Sequence, residues 1–319
     1  MMLGSNPQGK GRILLADALA VAEAATLLRD GGIVAVPTET VYGLAADASN
    51  ALAVAKIYAA KGRPDFNPLI VHVPDSEAAE SIAHFDDRAT ALADRFWPGA
   101  LTLVLPIKAD ANIAPAVTAG LPTIALRCPS HPVMQALLLA SGLVVAAPSA
   151  NRSGGISPTT AAHVADSLGD ASPLIIDAGA CRAGLESTIV AVRADGWQIL
   201  RPGPISSAQI EGVLGSPPLH NNDDRIEAPG QLASHYAPSK LVRLNAETAA
   251  PGEWHIGFGA ISGDDNLSAS GKLAEAAANL FAALHRADAS DRMAIAVAPI
   301  SAEGIGIAIN DRLQRAAAR

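Results

Sequence analysis

The sequence is poor in the residues on which disulfide-bonded and membrane-spanning proteins depend. Only two cysteines occur, Cys128 and Cys181, and neither has a second cysteine at the short spacing of structural zinc or dithiol sites. No window holds about 18 uninterrupted apolar residues, and residues 1–11 lack the apolar core of a signal peptide. We therefore expect a soluble cytoplasmic protein without membrane association, in which both cysteines are small buried residues.

Excess positive charge is also absent. The formal net charge is −8, with 14 basic against 18 acidic residues up to residue 210 and 9 against 13 after it. A protein that binds a nucleic-acid backbone usually concentrates lysine and arginine to displace counterions. Aromatic residues for base stacking are scarce as well, at 3%. Stable nucleic-acid binding is therefore not expected.

Two common nucleotide-binding motifs are missing. The chain has no G-x-x-x-x-G-K-[ST] loop, and no G-x-G-x-x-G follows a predicted strand. A nucleotide site in this protein would have to be built from other groups.

Apolar residues, by contrast, are abundant and patterned. They make up half of the chain, and many are alanine, which favours helices packed on a β-sheet. Between Leu15 and about Gly215, amphipathic helical stretches alternate with short β-branched runs. The predicted strands are Ile33–Pro37, Leu69–Val73, Leu101–Leu105, Leu143–Ala147, Leu174–Asp177 and Thr188–Val192. The alternation predicts an α/β protein.

A change in composition near residue 215 indicates a linker. Residues 215–240 are rich in proline, asparagine and aspartate and lack apolar periodicity, so they are expected to run extended over the protein. The predicted units are a first domain over residues 12–212, a linker over 213–240 that covers the active site, and a smaller α/β domain over 241–319.

The region after the linker has its own strand and helix patterns. Strands are predicted at His255–Phe258 and Met293–Ala298, and helices at Lys272–His285 and near Ile305–Ala318. This pattern predicts a second, small α/β unit.

Cations and polar residues occur close together after one predicted helix. Lys61 and Arg63 follow the helix predicted over Ala51–Ala60. A cation at that position can simply interact with the helix dipole, and His72 taken alone is better interpreted as structural. Together with Asn67, however, these residues form a polar cluster of the kind that triphosphate chemistry needs to position and neutralise charge.

Further polar residues stand at the ends of predicted strands, where ligands collect in open α/β sheets. Thr40 follows one strand, although a β-former or a helix cap would look the same. Arg127 ends another strand and is suited either to binding a carboxylate or to an ordinary salt bridge. Ser149 and Asn151 follow a third strand. Ser157 is expected to cap a helix whose free N–H groups can receive an anion.

Eight strings of the sequence occur in an informative order. The first six are PTETVYGL, KGRPDFNPLIVHV, LRCPSHP, APSANRSGGISPT, ESTIV and LRPG, and they are followed by SHYAP and AINDRLQRAA. In this order the first six resemble the threonylcarbamoyl-AMP synthase family with its YrdC-like domain, over about residues 12–212. The last two resemble the longer, two-domain form of that family, whose linker reaches the active site.

The resemblance implies both a fold and an activity. The implied fold is α/β, a YrdC-like twisted open sheet with flanking helices around a concave cavity, plus a smaller C-terminal α/β (Rossmann-like) domain. The implied enzyme is a nucleotidyltransferase that makes threonylcarbamoyl-AMP and pyrophosphate from L-threonine, bicarbonate and ATP, with Mg²⁺ accompanying ATP. In the family, this product serves threonylcarbamoyladenosine modification of tRNA next to the anticodon and passes to separate proteins that transfer it.

The resemblance also implies residue roles, carried over by position. The catalytic K-x-R and S-x-N set is Lys61, Arg63, Ser149 and Asn151. The threonine site includes Thr40, Asn67, His72, Arg127, Ala147 through its backbone, and Ser187. The ATP site includes Lys61, Arg63, Asn67, Thr123, Ser149, Asn151, Ser157, Arg201, His235 and Tyr236. No side chain is assigned to a metal.

Two other functions are alternatives to this one. The first is an RNA-binding module that uses a cationic concave surface without catalysis, which the negative charge and the scarcity of aromatic residues disfavour. The second is a carbamoyl-transfer enzyme of hydrogenase maturation, which resembles this family in one domain. That larger protein carries an acylphosphatase-like segment and zinc-finger cysteines, and neither occurs here.

Overall fold

Two β-sheets organise the chain, as a computed structural model shows for residues 11–64, 66–219, 227–231 and 235–318. One is a ten-stranded mixed sheet and the other a four-stranded parallel sheet. The protein is therefore α/β, as predicted. The predicted linker boundaries stay a prediction.

The large sheet is built from short strands. They are β1 (Ile13–Leu15), β2 (Val34–Val36), β3 (Gly43–Asp47), β4 (Ile70–His72), β5 (Leu101–Pro106), β6 (Thr123–Arg127), β7 (Val145–Ala146), β8 (Leu174–Asp177), β9 (Thr188–Arg193) and β10 (Gly196–Arg201). Their order across the sheet is β1-β8-β2-β3-β7-β4-β6-β5-β9-β10. All six strands predicted from β-branched runs are present. Strand β3, with the sequence GLAAD, has no β-branched residue and was not predicted.

The small sheet contains four parallel strands. They are β11 (Leu241–Arg243), β12 (Glu253–Gly257), β13 (Asp265–Asn266) and β14 (Ala294–Val297), in the order β11-β14-β12-β13. Both strands predicted in this region are confirmed.

Ten α-helices occur in the described residues. They are α1 (Ala18–Arg29), α2 (Ala51–Lys61), α3 (Ser76–Ile82), α4 (Asp87–Phe96), α5 (Pro115–Thr118), α6 (Pro132–Ser141), α7 (Ala161–Leu168), α8 (Ser207–Leu214), α9 (Leu273–Ala289) and α10 (Gly306–Ala317). Among the helices described here, none is long and apolar enough to cross a bilayer.

The end of α2 places the first candidate cation. The helix begins after Asn50, whose side chain accepts from the amides of Leu52 and Ala53. It ends at Gly62, which has φ +58° and caps the helix in the left-handed conformation that favours glycine. Lys61 is therefore the last helical residue, and its side chain leaves α2 at a sharp turn of the chain.

One predicted helix start is wrong. Ser157 was expected to cap a helix, but α7 begins at Ala161, and its cap is Thr160, whose side chain accepts from the amide of His163. Ser157 instead donates its hydroxyl to the carboxylate of Glu186. A Ser-Pro pair is typical of a helix start, so the local sequence favours that interpretation. The hydrogen bond from Ser157 to Glu186 joins residues 29 positions apart and has no local sequence pattern.

The two faces of β4 have different neighbours. Val71 and Val73 belong to the main apolar core of the large sheet. Ile70 and His72 alternate with them and line a cavity on the opposite face. Alternation along this strand thus puts an imidazole on the cavity face.

The second unit packs directly against the first. Phe281 and Leu280 of α9 belong to the same buried cluster as Val41, Leu185 and Tyr236. Val41 and Tyr236 also line the cavity. The core of the small unit therefore supports part of the cavity wall.

Gly203, just after β10, lies close to the backbone of residues 186–188. A Cβ at this position would lie 2.4 Å from the amide nitrogen of Thr188 and 2.7 Å from the carbonyl carbon of Ser187. We expect Gly203→Ala to lower the free energy of unfolding by about 1–3 kcal/mol, because backbone must shift to accommodate the methyl group. Urea unfolding measures this change.

A second glycine provides the control. Gly212 lies within α8, and a Cβ there would meet no atom within 4 Å. Gly212→Ala should raise the free energy of unfolding by about 0.5–1 kcal/mol, as alanine does in a helix. Equal effects of the two substitutions would contradict the close approach at Gly203.

Candidate functional site

A cavity lies on the face of the large sheet that carries Ile70 and His72. It is lined by Thr38, Thr40, Val41, Gly43, Arg63, Ile70, His72, Arg127, Ala147, Pro148, Ser149, Glu186, Ser187, Arg201, Pro229, Gly230, His235 and Tyr236. Three arginines and one carboxylate are in this set, so the wall carries an excess of positive charge. The segments that supply it are separated by up to about 200 residues in the sequence and meet only in the fold.

A buried ammonium ties α2 to the turn after β7. Lys61 Nζ donates to the carbonyl oxygens of Ser149, at 2.5 Å, and Asn151, at 2.6 Å. The amide of Ser153 donates back to the carbonyl oxygen of Lys61 at 2.8 Å. Burial lowers the pKa of Lys61 well below its usual value, and the nearby Arg63 charge lowers it further. Lys61 lies behind the cavity wall and holds the wall in place.

Of the two cations Lys61 and Arg63, it is Arg63 that lines the cavity. Its guanidinium donates to the carbonyl oxygens of Asn67 and Pro68, at 3.2 and 2.9 Å. Asn67 is 1% exposed, and neither atom of its side-chain amide has a hydrogen-bond partner among the described residues. A buried amide without partners is costly, which is typical of a group that meets a ligand.

A second arginine is fixed by three neighbours. Arg127 donates to the hydroxyl of Thr40 at 2.9 Å and to the carbonyl oxygen of Gly99 at 3.1 Å. It also forms an ion pair with Glu39 at 2.7 Å, in which both side chains are buried. Burial alone would raise the pKa of Glu39, but the Arg127 charge and hydrogen bonds from Arg127 and backbone amides together outweigh it, and the pKa lies below its usual value.

His72 lies beside the Arg127–Glu39 ion pair, and its imidazole is neutral. It is opposite Arg127 in the register of β4 and β6, so the two side chains share a face. Burial lowers the pKa of His72 to about 3, and the Arg127 charge contributes. The imidazole can therefore exchange hydrogen bonds with a substrate without adding charge.

The third arginine is held by the start of β9. Arg201 donates to the carbonyl oxygen of Ser187 from both Nε and Nη2, and also to its hydroxyl, at 3.0–3.1 Å. The Ser187 hydroxyl also shares a hydrogen bond of 2.7 Å with Thr102. Ser187 and Arg201 thus form one fixed corner of the cavity.

The turn after β7 supplies the facing wall. Ala147 and Ser149 line the cavity. The amide of Asn151 instead donates to the carbonyl oxygens of Arg152 and Gly155, and its Oδ1 is buried without a partner among the described residues. Asn151 therefore shapes the loop and keeps one acceptor available.

Five of the expected ATP residues do not line the cavity: Lys61, Asn67 and Asn151, described above, and also Thr123 and Ser157. Thr123 is at the start of β6, four residues from Arg127 and about 13 Å away at the usual rise of a strand. Ser157 is fully buried and reaches the cavity only through its hydrogen bond to Glu186. Their roles stay predictions.

Four described residues of the predicted linker line the cavity, and the free space in the cavity is small. Pro229, Gly230, His235 and Tyr236 line it, and Ala237 binds the loop at Gly154 through its amide. The free volume is about 40 Å³, whereas small-molecule pockets usually measure about 300–1,000 Å³. This free volume is smaller than a nucleotide together with an amino acid would occupy.

Some cavity residues were not among the predicted ones. Glu186 and Thr38 line the wall, Glu39 pairs with Arg127, and Arg312 of α10 contacts Glu186. All four lie inside quoted strings, Thr38 and Glu39 in PTETVYGL, Glu186 in ESTIV and Arg312 in AINDRLQRAA, and membership in these strings was the available signal. Both cysteines are buried, as predicted.

Comparison with known proteins identifies the family. Residues 26–203 match the family model described as "Telomere recombination" (Sua5/YciO/YrdC), and residues 205–318 match the model "Threonylcarbamoyl-AMP synthase, C-terminal domain". The threonylcarbamoyl-AMP synthase of Bacillus subtilis is 41% identical over 324 residues, covering 93% of this chain and 92% of that one. The chain belongs to the threonylcarbamoyl-AMP synthase family. This membership sets aside the alternative of a non-catalytic RNA-binding module.

Solved structures agree with the family assignment. The crystal structure of Pyrococcus abyssi Sua5 complexed with L-threonine has a TM-score of 0.87 at 36% identity, and the alignment covers 96% of this chain and 97% of that chain. T. kodakarensis HypF has a TM-score of 0.52 at 22% identity over 57% of this chain and 24% of that chain. The second match shows a likeness of fold alone.

Buried histidines give this member of the threonylcarbamoyl-AMP synthase family a predicted acid sensitivity. Burial lowers the pKa of both His72 and His235 to about 3. In the unfolded chain each imidazole binds a proton near pH 6.5, whereas in the folded protein it stays neutral down to about pH 3. The stability that each neutral histidine contributes is therefore complete above about pH 6.5 and is lost as the pH falls towards the folded pKa. When the pH falls from about 7.5 to about 5.5, each of these two histidines should lower the free energy of unfolding by about 1 kcal/mol.

Substitution of one histidine tests this. His72→Asn should reduce the pH dependence of the free energy of unfolding by about 1 kcal/mol in urea titrations at the two pH values. The control His84→Asn alters an exposed side chain and should leave the pH dependence unchanged. An unchanged pH dependence in His72→Asn would contradict the buried neutral imidazole.

Proposed function

We propose that the chain converts L-threonine, bicarbonate and ATP into threonylcarbamoyl-AMP and pyrophosphate at the cavity described above. The observation that carries the proposal is that Arg63 and Ser149 share one cavity wall with Thr40, Arg127 and His72. Groups suited to phosphates and groups suited to an amino acid therefore face the same small space. Similarity to the P. abyssi protein complexed with L-threonine supports the same ligand here.

The Arg127 end of the cavity is suited to the threonine. A guanidinium that is already fixed by Thr40 and Glu39 can bind the substrate carboxylate without losing further conformational entropy. Neutral His72 and the hydroxyl of Ser187 offer hydrogen bonds to the substrate's own hydroxyl and amine.

The Arg63 end is suited to the phosphates. Arg63 and Arg201 both line the cavity, and Lys61 holds the turn at Ser149, which lines it too. The unpartnered amide of Asn67 provides a further donor. Since the transferred charge lies on phosphate oxygens, catalysis requires mainly fixed positive groups, which this arrangement supplies.

The proposed reaction forms two bonds in sequence. The threonine amine nitrogen bonds to the carbon of bicarbonate, and water leaves as a carbamate forms. A carbamate oxygen then bonds to the α-phosphorus of ATP, and the bond from that phosphorus to the bridging oxygen breaks, so that pyrophosphate leaves. No covalent enzyme intermediate is required. A cover over the cavity protects the carbamate from hydrolysis.

The proposed substrates need more space than the free volume of the cavity provides. About 40 Å³ holds a water molecule but not ATP with threonine. The predicted linker lines the cavity with Pro229, Gly230, His235 and Tyr236, so we propose that it is displaced on binding and then covers the ligands.

Magnesium would enter with ATP. The residues described contain no group of three His, Cys, Asp or Glu side chains that could hold a metal ion. The two carboxylates nearest the cavity, Glu39 and Glu186, are both paired with arginine. The residues present do not form a magnesium site of their own, and no proposed step depends on one.

The wider context stays a proposal as well. Transfer of the product to tRNA by separate proteins and a cytoplasmic location follow from the family resemblance. Neither rests on a feature of the cavity.

Pyrophosphate release tests the proposed function. With ATP and bicarbonate, the protein should release pyrophosphate when L-threonine is present and far less when no amino acid is added. Serine should be less effective by about 10–100-fold in kcat/KM, because one methyl group is worth about 1–3 kcal/mol. Release that is independent of any amino acid would contradict the proposal.

Arg63 offers a sharper prediction. Arg63→Ala should lower kcat/KM by about 100-fold or more, since it removes a fixed donor from the developing phosphate charge. The matched control is Lys56→Ala, which removes an exposed cation from the same helix, α2. Steady-state kinetics in which both variants behave like the wild type would rule out the assigned role.

A further inference from the structure

Arg312 of the small unit reaches the wall of the cavity in the large one. Its side chain is fully buried, and its Nε donates to Glu186 Oε2 at 2.8 Å. Its Nη2 donates to the carbonyl oxygen of Pro202 at 3.0 Å, and its Nη1 donates to the neighbouring Asp311. One guanidinium therefore joins α10 to the residues just before β9 and just after β10.

The same guanidinium supports the linker. Its central carbon lies 5.2 Å from the centre of the Tyr236 ring, within the range of a cation–π interaction. Tyr236 also packs on Phe281 of α9, with ring centres 5.6 Å apart. Along the same helix, the carbonyl oxygen of Arg315 accepts from the amide of His235. Both linker residues over the cavity thus rest on α10 or its neighbour.

Glu186 is the cavity residue that needs this partner. It lines the wall, while its Oε1 accepts from Ser157 and its Oε2 from Arg312. Burial alone would raise the pKa of Glu186, but the charges of Arg312 and Arg201 keep it below its usual value, so the group is ionised. An ionised carboxylate in this wall would repel a polyphosphate unless a cation compensated its charge.

We propose that Arg312 is a positioning residue of the nucleotide site, which neutralises Glu186 and fixes Tyr236 so that the small unit completes the surface that receives ATP. The proposal rests on the proposed function for the identity of the ligand. It gives the C-terminal unit a direct part in nucleotide binding. The site is incomplete without α10.

Arginine is required because, besides its contact with Asp311, three contacts diverge from one planar group. The fork serves a carboxylate, a carbonyl oxygen and an aromatic face at once. A lysine ammonium in the same place can compensate the charge but cannot make all three contacts. Substitution of Arg312 by lysine therefore separates the effect of its charge from the effect of its geometry.

The experiment measures the dissociation constant of ATP by calorimetry without threonine, so it does not depend on turnover. Arg312→Met should weaken ATP binding by about tenfold or more, because Glu186 is left as an unpaired anion in the wall. Arg312→Met combined with Glu186→Gln should bind ATP better than Arg312→Met alone, by about threefold or more, since the repelling charge is gone. Arg312→Lys should fall between the wild type and Arg312→Met.

Controls separate this role from a structural one. Arg243→Met breaks an exposed arginine–glutamate pair in the same unit and should leave ATP binding unchanged. If Arg312→Met does not fold, the double variant, which lacks the unpaired charge, and Arg312→Lys still report the effect. Wild-type ATP affinity in Arg312→Met, or no recovery in the double variant, would overturn the proposal. Absence of pyrophosphate release from a wild type that binds ATP would instead count against the proposed function.

Discussion

Two segments far apart in the sequence enclose the cavity, and a single buried ammonium joins them. Lys61 donates to two carbonyl oxygens of the turn after β7, and the turn donates back to α2 through Ser153. The left-handed cap at Gly62 lets the chain turn at once, so that Arg63 emerges on the cavity side. Backbone hydrogen bonds from the Leu44 amide to Pro148 and from the Ala150 amide to Tyr42 also hold the turn, and together with Lys61 they fix its separation from Arg63.

The other two arginines of the cavity wall are also held in place by neighbouring residues before a ligand binds. Arg127 is held by Glu39 and Thr40, and Arg201 is held by Ser187. Buried ion pairs are weak contributors to stability, because desolvation offsets most of their attraction. Their value here lies in geometry: preorganised cations need little rearrangement when negative charge develops on a phosphate. The protein thus carries buried charge that a purely structural core would avoid.

Much of this arrangement could be predicted from the sequence, and the remainder could not for identifiable reasons. The β-branched runs were enough to predict six strands, and the ordered strings located Arg63 and Ser149. The pairing of Glu186 with Arg312 spans 126 residues and has no local pattern. Ser157 was misassigned because a Ser-Pro pair has the chemistry of a helix start wherever it occurs. The small free volume depends on where linker side chains settle, which no spacing rule describes.

The central claim is that phosphate groups and an amino acid meet in the space between Arg63 and Arg127. A crystal structure with a non-hydrolysable ATP analogue and L-threonine tests it most directly. The account predicts that the phosphates contact Arg63 and the Ser149 turn, with the threonine carboxylate on Arg127. A nucleotide bound elsewhere, for example in the interdomain pocket beside His163 and His285, would contradict it.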